Sequence, residues 1–512
     1  MIDKEHKKVF LIVSTAIAIR VFFLLLQRPE FVCWFNHTYY YYVEVKGLLE
    51  QGNLPFKDMP LLFYLYAFTA KFLGLIGFDT DNAIVYSTRL LMSIIPSLLP
   101  IPTYAIIKNI SKYLPIQKSQ WVFIISSGFL PLSIIHMPEF LQKNALGILL
   151  LITLVYYSQK LIREYKTRDV LISAALILAI ILTHFGTTGA MVLYGASLLL
   201  ASFFTNKDVK QFLIYGSVLI LTLIGSLLAF YLFDIQRFER IFIYLFHSIE
   251  HSFLGVLFSA NSATSERFNA LSGIVLPGIV IAFFILIFRK YQSSLSKENR
   301  LFWLTNIIFC YLLVLPVWEM LLMARFVLFL SIPLLIIFAF QNEYVIKRVW
   351  IKYSVLSIIF SGILLMAFGE ILSTKFHGRD NDEIYADLMA LKRDQIFQKN
   401  DLVITKNGAE HICIWFLNVK SGVITSLNRS DFDKYDNIYV LNPIEGELNF
   451  QGIENKKATN ETDKYIFMLR NIPKPENAVT IYESEYIEFF RLDASPLKWS
   501  YDSAGNWIGY TE

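Results

Sequence analysis

A chain of 512 residues, 55% apolar and only 17% charged, lacks the polar surface that a soluble protein of that length needs to cover its core. The net charge of +4 is too small and scattered to suggest a nucleic-acid partner, and Cys33, Cys310 and Cys413 stand too far apart for a metal or disulfide pattern. The apolar residues instead fall in blocks able to cross a bilayer, which takes about 20 residues each.

In chain order, Lys4, Lys7 and Lys8 precede the apolar run Val9–Leu26. The run is long for a signal peptide and no small-residue cleavage site follows, so it is expected to stay as the first span, with its N-terminus in the cytoplasm. Further spans are expected at Ile84–Ile107, Trp121–His136, Ala145–Tyr157, Val170–Phe185 and Thr188–Phe204, then at Phe212–Phe233, Ile274–Phe288, Leu301–Trp318, Phe326–Phe340 and Trp350–Phe368. Lys and Arg cluster at Lys108–Lys118, Lys160–Arg168, Lys207–Lys210, Arg289–Arg300 and Lys347–Lys352. Every second loop is thus basic, the cytoplasmic signature. The alternation holds only if Leu61–Phe78, apolar but interrupted by Lys71, lies at the outer interface without crossing. Eleven crossings then leave the C-terminus outside, and a prokaryotic cytoplasmic (inner) membrane is the expected location.

From about Gly369 the composition turns charged and alternating. Leu402–Thr405, Gly422–Thr425 and Asn437–Leu441 read as strands, Asp382–Gln398 and Ala409–Leu417 as helices, and Val479–Arg491 as a closing hairpin. The expected fold is mainly α: a polytopic module of about eleven transmembrane helices in residues 1–369, and an extracytoplasmic α/β domain in residues 370–512. Two outer segments, 27–78 and 234–273, are too long for turns and are the expected working parts. Within the first, Tyr41, Val45, Leu48 and Leu49 keep helical spacing. They are expected to lay an apolar face on the membrane surface and to turn Glu44 toward solvent.

Chemistry-bearing residues sort by the cost of placing them. A charge inside a span costs at least ~3 kcal/mol on insertion scales, which singles out Arg20 and Arg89, expected to pair within the bundle. Arg325 stands at the outer end of the tenth span, where a lipid-linked phosphate would lie, and its planar fork suits phosphate oxygens. Glu319 is its orienting or neutralising neighbour. Thr183–Thr188 contains His184 among hydroxyls, a set that can donate to an anion or simply cap a helix end. Glu139 and Lys143, four apart, can pair on a helix, or give Glu139 to an acceptor or metal and Lys143 to phosphate. In the first outer loop Glu30, Glu44, Glu50 and Asp58 are the acids; Asp58 sits where the chain meets the membrane, ahead of Pro60.

Several of these pieces, in order, resemble the GT-C superfamily of membrane glycosyltransferases, which use polyprenyl-phosphate-linked sugars. They are Ile19-Arg20-Val21, the Tyr-rich helix of the first outer loop, Asp58-Met59-Pro60-Leu61 and Ser87-Thr88-Arg89-Leu90-Leu91-Met92-Ser93. The Glu139/Lys143 loop, His184, and Glu319/Arg325 followed by Ile332-Pro333-Leu334 complete the set. The resemblance covers about residues 1–345 and is closest in kind to the protein mannosyltransferase and aminoarabinose transferase group. It implies an inverting transfer from a polyprenyl-phosphate sugar donor to an extracytoplasmic acceptor, within the lipid bilayer. Asp58, His37, Glu44 and Glu139 are then the candidate bases, and Arg325, His184 and Lys143 the donor-phosphate groups. His37 stands where the family keeps an acid before an aromatic pair, so the base is left open among these residues. The Trp-Trp-Asp motif of similar oligosaccharyltransferases is missing from the C-terminal domain, which favours transfer of a single sugar. No acid pair stands at ligand spacing for a divalent metal, and no cofactor is assigned. A lipid-linked glycan transporter, or a non-catalytic membrane assembly protein with an outer binding domain, are the other readings. A transporter would concentrate polar, broken helices at mid-membrane.

Overall fold

The computed structural model describes most of residues 4–345 and 381–511; the largest stretches outside the description are 27–37, 130–141, 239–251, 319–325, 346–380 and 444–471. In chain order the helices are α1 (Lys4–Leu26), α2 (Thr38–Gln51), α3 (Leu61–Leu75), α4 (Thr80–Ser97), α5 (Pro100–Ile110), α6 (Lys118–Phe129) and α7 (Gln142–Arg163). Then come α8 (Thr167–Ile181), α9 (Phe185–Thr205), α10 (Val209–Phe233), α11 (Phe253–Phe258), α12 (Thr264–Tyr291), α13 (Lys297–Leu313), α14 (Ser331–Phe340) and α15 (Asn381–Arg393).

Among the described residues, six helical stretches have both the length and the apolarity to cross a membrane: Thr80–Ile110, Gln142–Arg163, Phe185–Thr205, Phe212–Phe233, Arg267–Ser294 and Leu328–Val345. The helix α1 has 23 residues and reaches roughly 34 Å at 1.5 Å per residue, against a hydrocarbon core about 30 Å thick. The predicted spans Trp121–His136, Val170–Phe185 and Leu301–Trp318 fall on the shorter helices α6, α8 and α13, and Trp350–Phe368 lies outside the described residues. Burial separates inner from outer helices. The protein covers 67% of the apolar window in Thr80–Ile110 but only 6% of that in Phe212–Phe233. A helix that is apolar all round and so little covered has lipid as its solvent. The chain is a polytopic integral membrane protein.

The segment α3 is different. Its 15 residues reach roughly 22 Å, short of the bilayer core. Leu62, Phe63, Tyr66, Ala67 and Ala70 are buried on one face, while Tyr64, Phe68, Phe72 and Leu75 are exposed on the other.

The chain gathers into two compact units. One holds Met1–Leu24, Phe56–Ile76 and Arg89–Glu370; the other holds Leu25–Pro55, Gly77–Thr88 and Ile371–Glu512. In the second, five strands form a mixed sheet: β1 (Leu402–Thr405), β2 (Lys420–Val423), β3 (Ile438–Pro443), β4 (Val479–Glu483) and β5 (Ile487–Leu492), in the order β2-β1-β3-β5-β4. The strand β1 lies parallel to β2 and β3, and β5 runs antiparallel to β3 and β4. A separate hairpin pairs β6 (Lys498–Tyr501) with β7 (Trp507–Thr511). Alternation along the strands builds a core on each face. Leu402, Ile404, Ile438, Val440, Phe490 and Leu492 fill one; Phe397, Tyr439 and Phe489 stack on the other, at 5.0–5.8 Å between ring centres. The C-terminal α/β domain expected from the sequence is present.

One sequence expectation is corrected here. The face of α2 does not lie on a membrane. Tyr39, Tyr41, Tyr42, Val43 and Val45 are buried within the second unit, where Tyr39 meets Phe416 at 5.0 Å, Tyr42 meets Trp415 at 5.1 Å, and Lys46 lies 5.3 Å over the Trp415 ring. Their partners come from a helical turn, Glu410–Ile412, that widens into a π-helical turn, Cys413–Leu417, and ends at Asn418 in the left-handed region (φ 55°). An amphipathic pattern specifies that a face is covered, not what covers it. Glu44, expected in solvent, is fully buried on the same helix.

Candidate functional site

The chain after Asp58 turns at Pro60 into α3, and the Leu61 N–H donates to the Leu182 carbonyl at 3.0 Å. That bond ties the Asp58 segment to the end of α8, two residues before His184. The face of α3 that is buried then meets the first turn of α7. The Tyr66 hydroxyl donates to Gln142 Oε1 at 2.7 Å, and Lys143 Nζ lies 4.5 Å from the Phe63 ring centre.

At this junction Asp58 and Lys143 form a buried ion pair, their side chains 2% and 5% exposed. Asp58 Oδ2 accepts from Lys143 Nζ, and Oδ1 accepts from the Met59 backbone N–H at 2.6 Å. The pair has an electrostatic reason. A cation in the first turn of a helix meets the positive end of the macrodipole, whereas a carboxylate there is favoured, so Asp58 balances Lys143 and suits the helix end as well. Because the attraction acts away from water, each charge depends on the other.

The connection between α8 and α9 completes the site. Thr183 and Thr188 are buried and donate to the Ala179 and His184 carbonyls at 2.6 and 3.1 Å, holding the two helix ends. A side chain at Gly186 would press on the His184 ring, its Cβ 3.0 Å from Cε1, so glycine leaves room for the imidazole. Gly147 plays the same part on α7, where a Cβ would collide with the Thr187 side chain. The helices α7 and α9 therefore cross in close contact one turn below Lys143.

The structure thus brings Asp58 and Lys143 together and places the His184 segment beside them. Glu44 belongs to the other compact unit. His37, Glu139 and Arg325, with Glu319, lie outside the described residues. Lys143, expected to find Glu139 four residues away or a phosphate, is paired with Asp58, 85 positions distant. Sequence reading gave no role to Tyr66, Gln142 or Asn144, and held Thr187 only among the hydroxyls around His184. The signal was there for part of this set, since Gln142-Lys143-Asn144 is a polar triplet opening an apolar run. Arg20 is 2% exposed and its Nη1 donates to Ser97 Oγ at 2.9 Å, a bond between α1 and α4 of the kind expected for an intramembrane charge. Among the described residues no three His, Cys, Asp or Glu side chains cluster as metal ligands do.

No protein-family model matches the sequence, and no curated protein matches it. Solved structures do match. The crystal structure of the oligosaccharyltransferase of Archaeoglobus fulgidus, tethered with an acceptor peptide containing the NVT sequon, superimposes with a TM-score of 0.51 at 12% identity, over 85% of this chain and 69% of that one. ArnT from Cupriavidus metallidurans in the apo state superimposes with a TM-score of 0.51 at 10% identity, over 96% of this chain and 99% of that one. Both are GT-C glycosyltransferases. The chain has the GT-C fold. The match to ArnT takes in nearly the whole of both chains.

Proposed function

We propose that this GT-C chain is a glycosyltransferase that moves a single sugar, with inversion, from a polyprenyl-phosphate-linked donor to an extracytoplasmic acceptor. The observation that carries the reading is the buried Asp58–Lys143 pair, set in a GT-C fold where the chain turns into α3. The acceptor hydroxyl attacks the anomeric carbon, and the bond from that carbon to the phosphate oxygen breaks. The electron pair leaves with the lipid phosphate, and the acceptor's proton passes to a base. Asp58 fits the base because its carboxylate stands at this junction with the Lys143 ammonium, so an acid and a phosphate-seeking cation meet at one point. An incoming phosphate competes with Asp58 for the Lys143 ammonium. Its arrival draws Lys143 toward the leaving group and frees Oδ2 for the acceptor. His184 and Arg325 add donors for the charge that develops on the phosphate.

The test is single turnover with purified protein, labelled polyprenyl-phosphate sugars and saturating donor. The wild-type protein should consume the lipid donor in the presence of acceptor. Asp58→Asn should lose at least ~100-fold, the low end for a general base, with donor binding retained. Activity in Asp58→Asn with none in His37→Gln would transfer the role to His37; activity in both would point to Glu139. Consumption of no donor from a panel of lipid-linked sugars would overturn the proposal.

A further inference from the structure

Beside the ion pair, two buried polar side chains have no hydrogen-bond partner among the described residues. Asn144 follows Lys143 on α7 and is 4% exposed, and its Oδ1 is sealed from solvent without a donor. Thr187, in the first turn of α9, is 0% exposed, and its Oγ1 has no partner. Neither is expected of a folded interior, where polar atoms are paired as a rule. Most hydroxyls along these helices turn back onto their own backbone, with Thr187 and Ser202 the unpartnered ones on α9. Thr183, Thr188, Ser197 and Thr205 all donate to the carbonyl four residues back, and Thr187 does not.

The two groups share one place. Lys143, Asn144 and Gly147 lie on one face of α7 by their spacing of three and four. Thr187 of α9 is pressed against Gly147, its Oγ1 the atom nearest to where a Cβ would stand. An amide and a hydroxyl therefore flank the helix crossing, next to Asp58 and Lys143, without using their bonding capacity on the protein. Each can both donate and accept. The adjacent charges already balance each other, so the extra groups add hydrogen-bonding capacity without adding charge. That chemistry fits hydroxyl groups, each a donor and an acceptor, better than a phosphate.

We propose that Asn144 and Thr187 form a subsite that reads the hydroxyls of a sugar ring held against the Asp58–Lys143 pair. The assignment rests on the glycosyltransferase reading above. The ring belongs either to the donor or to a glycan acceptor, and the experiment separates these. Full-length protein in lipid nanodiscs is titrated with bare undecaprenyl phosphate and with undecaprenyl phosphates carrying a hexose, an N-acetylhexosamine or a pentose. Nitrophenyl glycosides, which carry the ring without lipid or phosphate, form a second panel. The wild type should prefer at least one sugar-bearing lipid over the bare one by about tenfold, a difference that two or three net hydrogen bonds supply. Thr187→Val and Asn144→Leu, each close to the original shape, should abolish that preference while bare-lipid binding persists, and Thr187→Ser should keep it. Lost glycoside binding with the lipid preference intact assigns the same subsite to an acceptor sugar. If both variants keep both properties, the two groups hold only water and the subsite is wrong. Equal binding of every lipid and of no glycoside by the wild type overturns the subsite alone. Binding of no lipid at all overturns the subsite and the glycosyltransferase reading together.

Discussion

At the scale of single residues, the buried pair decides what mutations can report. Asp58→Asn removes a proposed base and also leaves the Lys143 ammonium buried without its counter-charge. Breaking one side of such a pair costs about 3–5 kcal/mol, whereas replacing both charges with groups of similar shape costs far less. Asp58→Asn and Lys143→Met should therefore each lower the melting temperature in detergent, and the double variant should recover most of the loss while staying inactive. Equal melting of all three variants would mean the pair does not hold this junction. Cys413 offers a second test, in the α/β domain. Burial pushes its thiol up from 9.0 to about 12. An unfolded chain ionises this thiol near pH 9.0 and the folded chain only near pH 12, so unfolding releases a proton between those values and alkali destabilises the domain. Tyr482 adds to the same trend, its hydroxyl raised from 10.0 to about 12 by burial and by donating to Asp387 at 2.6 Å. Maleimide at pH 8 should leave Cys413 untouched in the folded protein and label it after denaturation. Rapid labelling of the native form would contradict its burial.

Elements show where sequence reasoning succeeds and where it stops. Strands rich in β-branched and aromatic residues were legible: Leu402–Thr405 coincides with β1, and Val479–Arg491 contains β4 and most of β5. The strand β2 was expected at Gly422–Thr425 and is found at Lys420–Val423. Its residues Lys420-Ser421-Gly422-Val423 have little strand preference, and pairing of Leu402 with Lys420 sets the register instead. The site divides the same way. Asp58 and Lys143 were each visible as polar residues at a membrane boundary, yet their pairing spans 85 positions, and a nearer acid at Glu139 offered a local alternative. The helix α2 is the clearest case of a hidden partner, because the rings that cover it come from Trp415 and Phe416 at the far end of the chain. Trp415→Ala should cost about 3–5 kcal/mol of the second unit's stability, the usual loss for a buried aromatic. It should also make residues 38–51 an early site of proteolytic cutting. A cleavage pattern identical to wild type would show that α2 is held by something else.

At the scale of the whole molecule, the remaining question is which way the bundle faces, and charge decides it. Moving a Lys or Arg across a hydrocarbon core is costly, and cytoplasmic loops retain an excess of them. Lys108–Lys118, Lys160–Arg168 and Arg289–Arg300 follow every second predicted span, and one half-buried network joins residues from this set of helix ends. Arg163 donates to the Asn109 carbonyl at 2.5 Å and to Asn299 Oδ1 at 2.8 Å, and Asn299 donates to Tyr344 at 3.2 Å. These contacts require the α5, α7, α13 and α14 ends to lie on one side. The site around Asp58 and the first turn of α7 is at the other end of α7, about 30 Å away along 22 residues. If the basic ends are cytoplasmic, the ion pair at the opposite end of α7 faces outward, the side on which the proposed acceptor lies. Single cysteines at Lys112 and at Asn460, in a cysteine-free background, test this with a membrane-impermeant maleimide on intact cells. Asn460 should label from outside, and Lys112 only after permeabilisation. The reverse pattern would put the site in the cytoplasm and remove the extracytoplasmic acceptor from the proposal; equal labelling would show a mixed insertion that loop charge does not control.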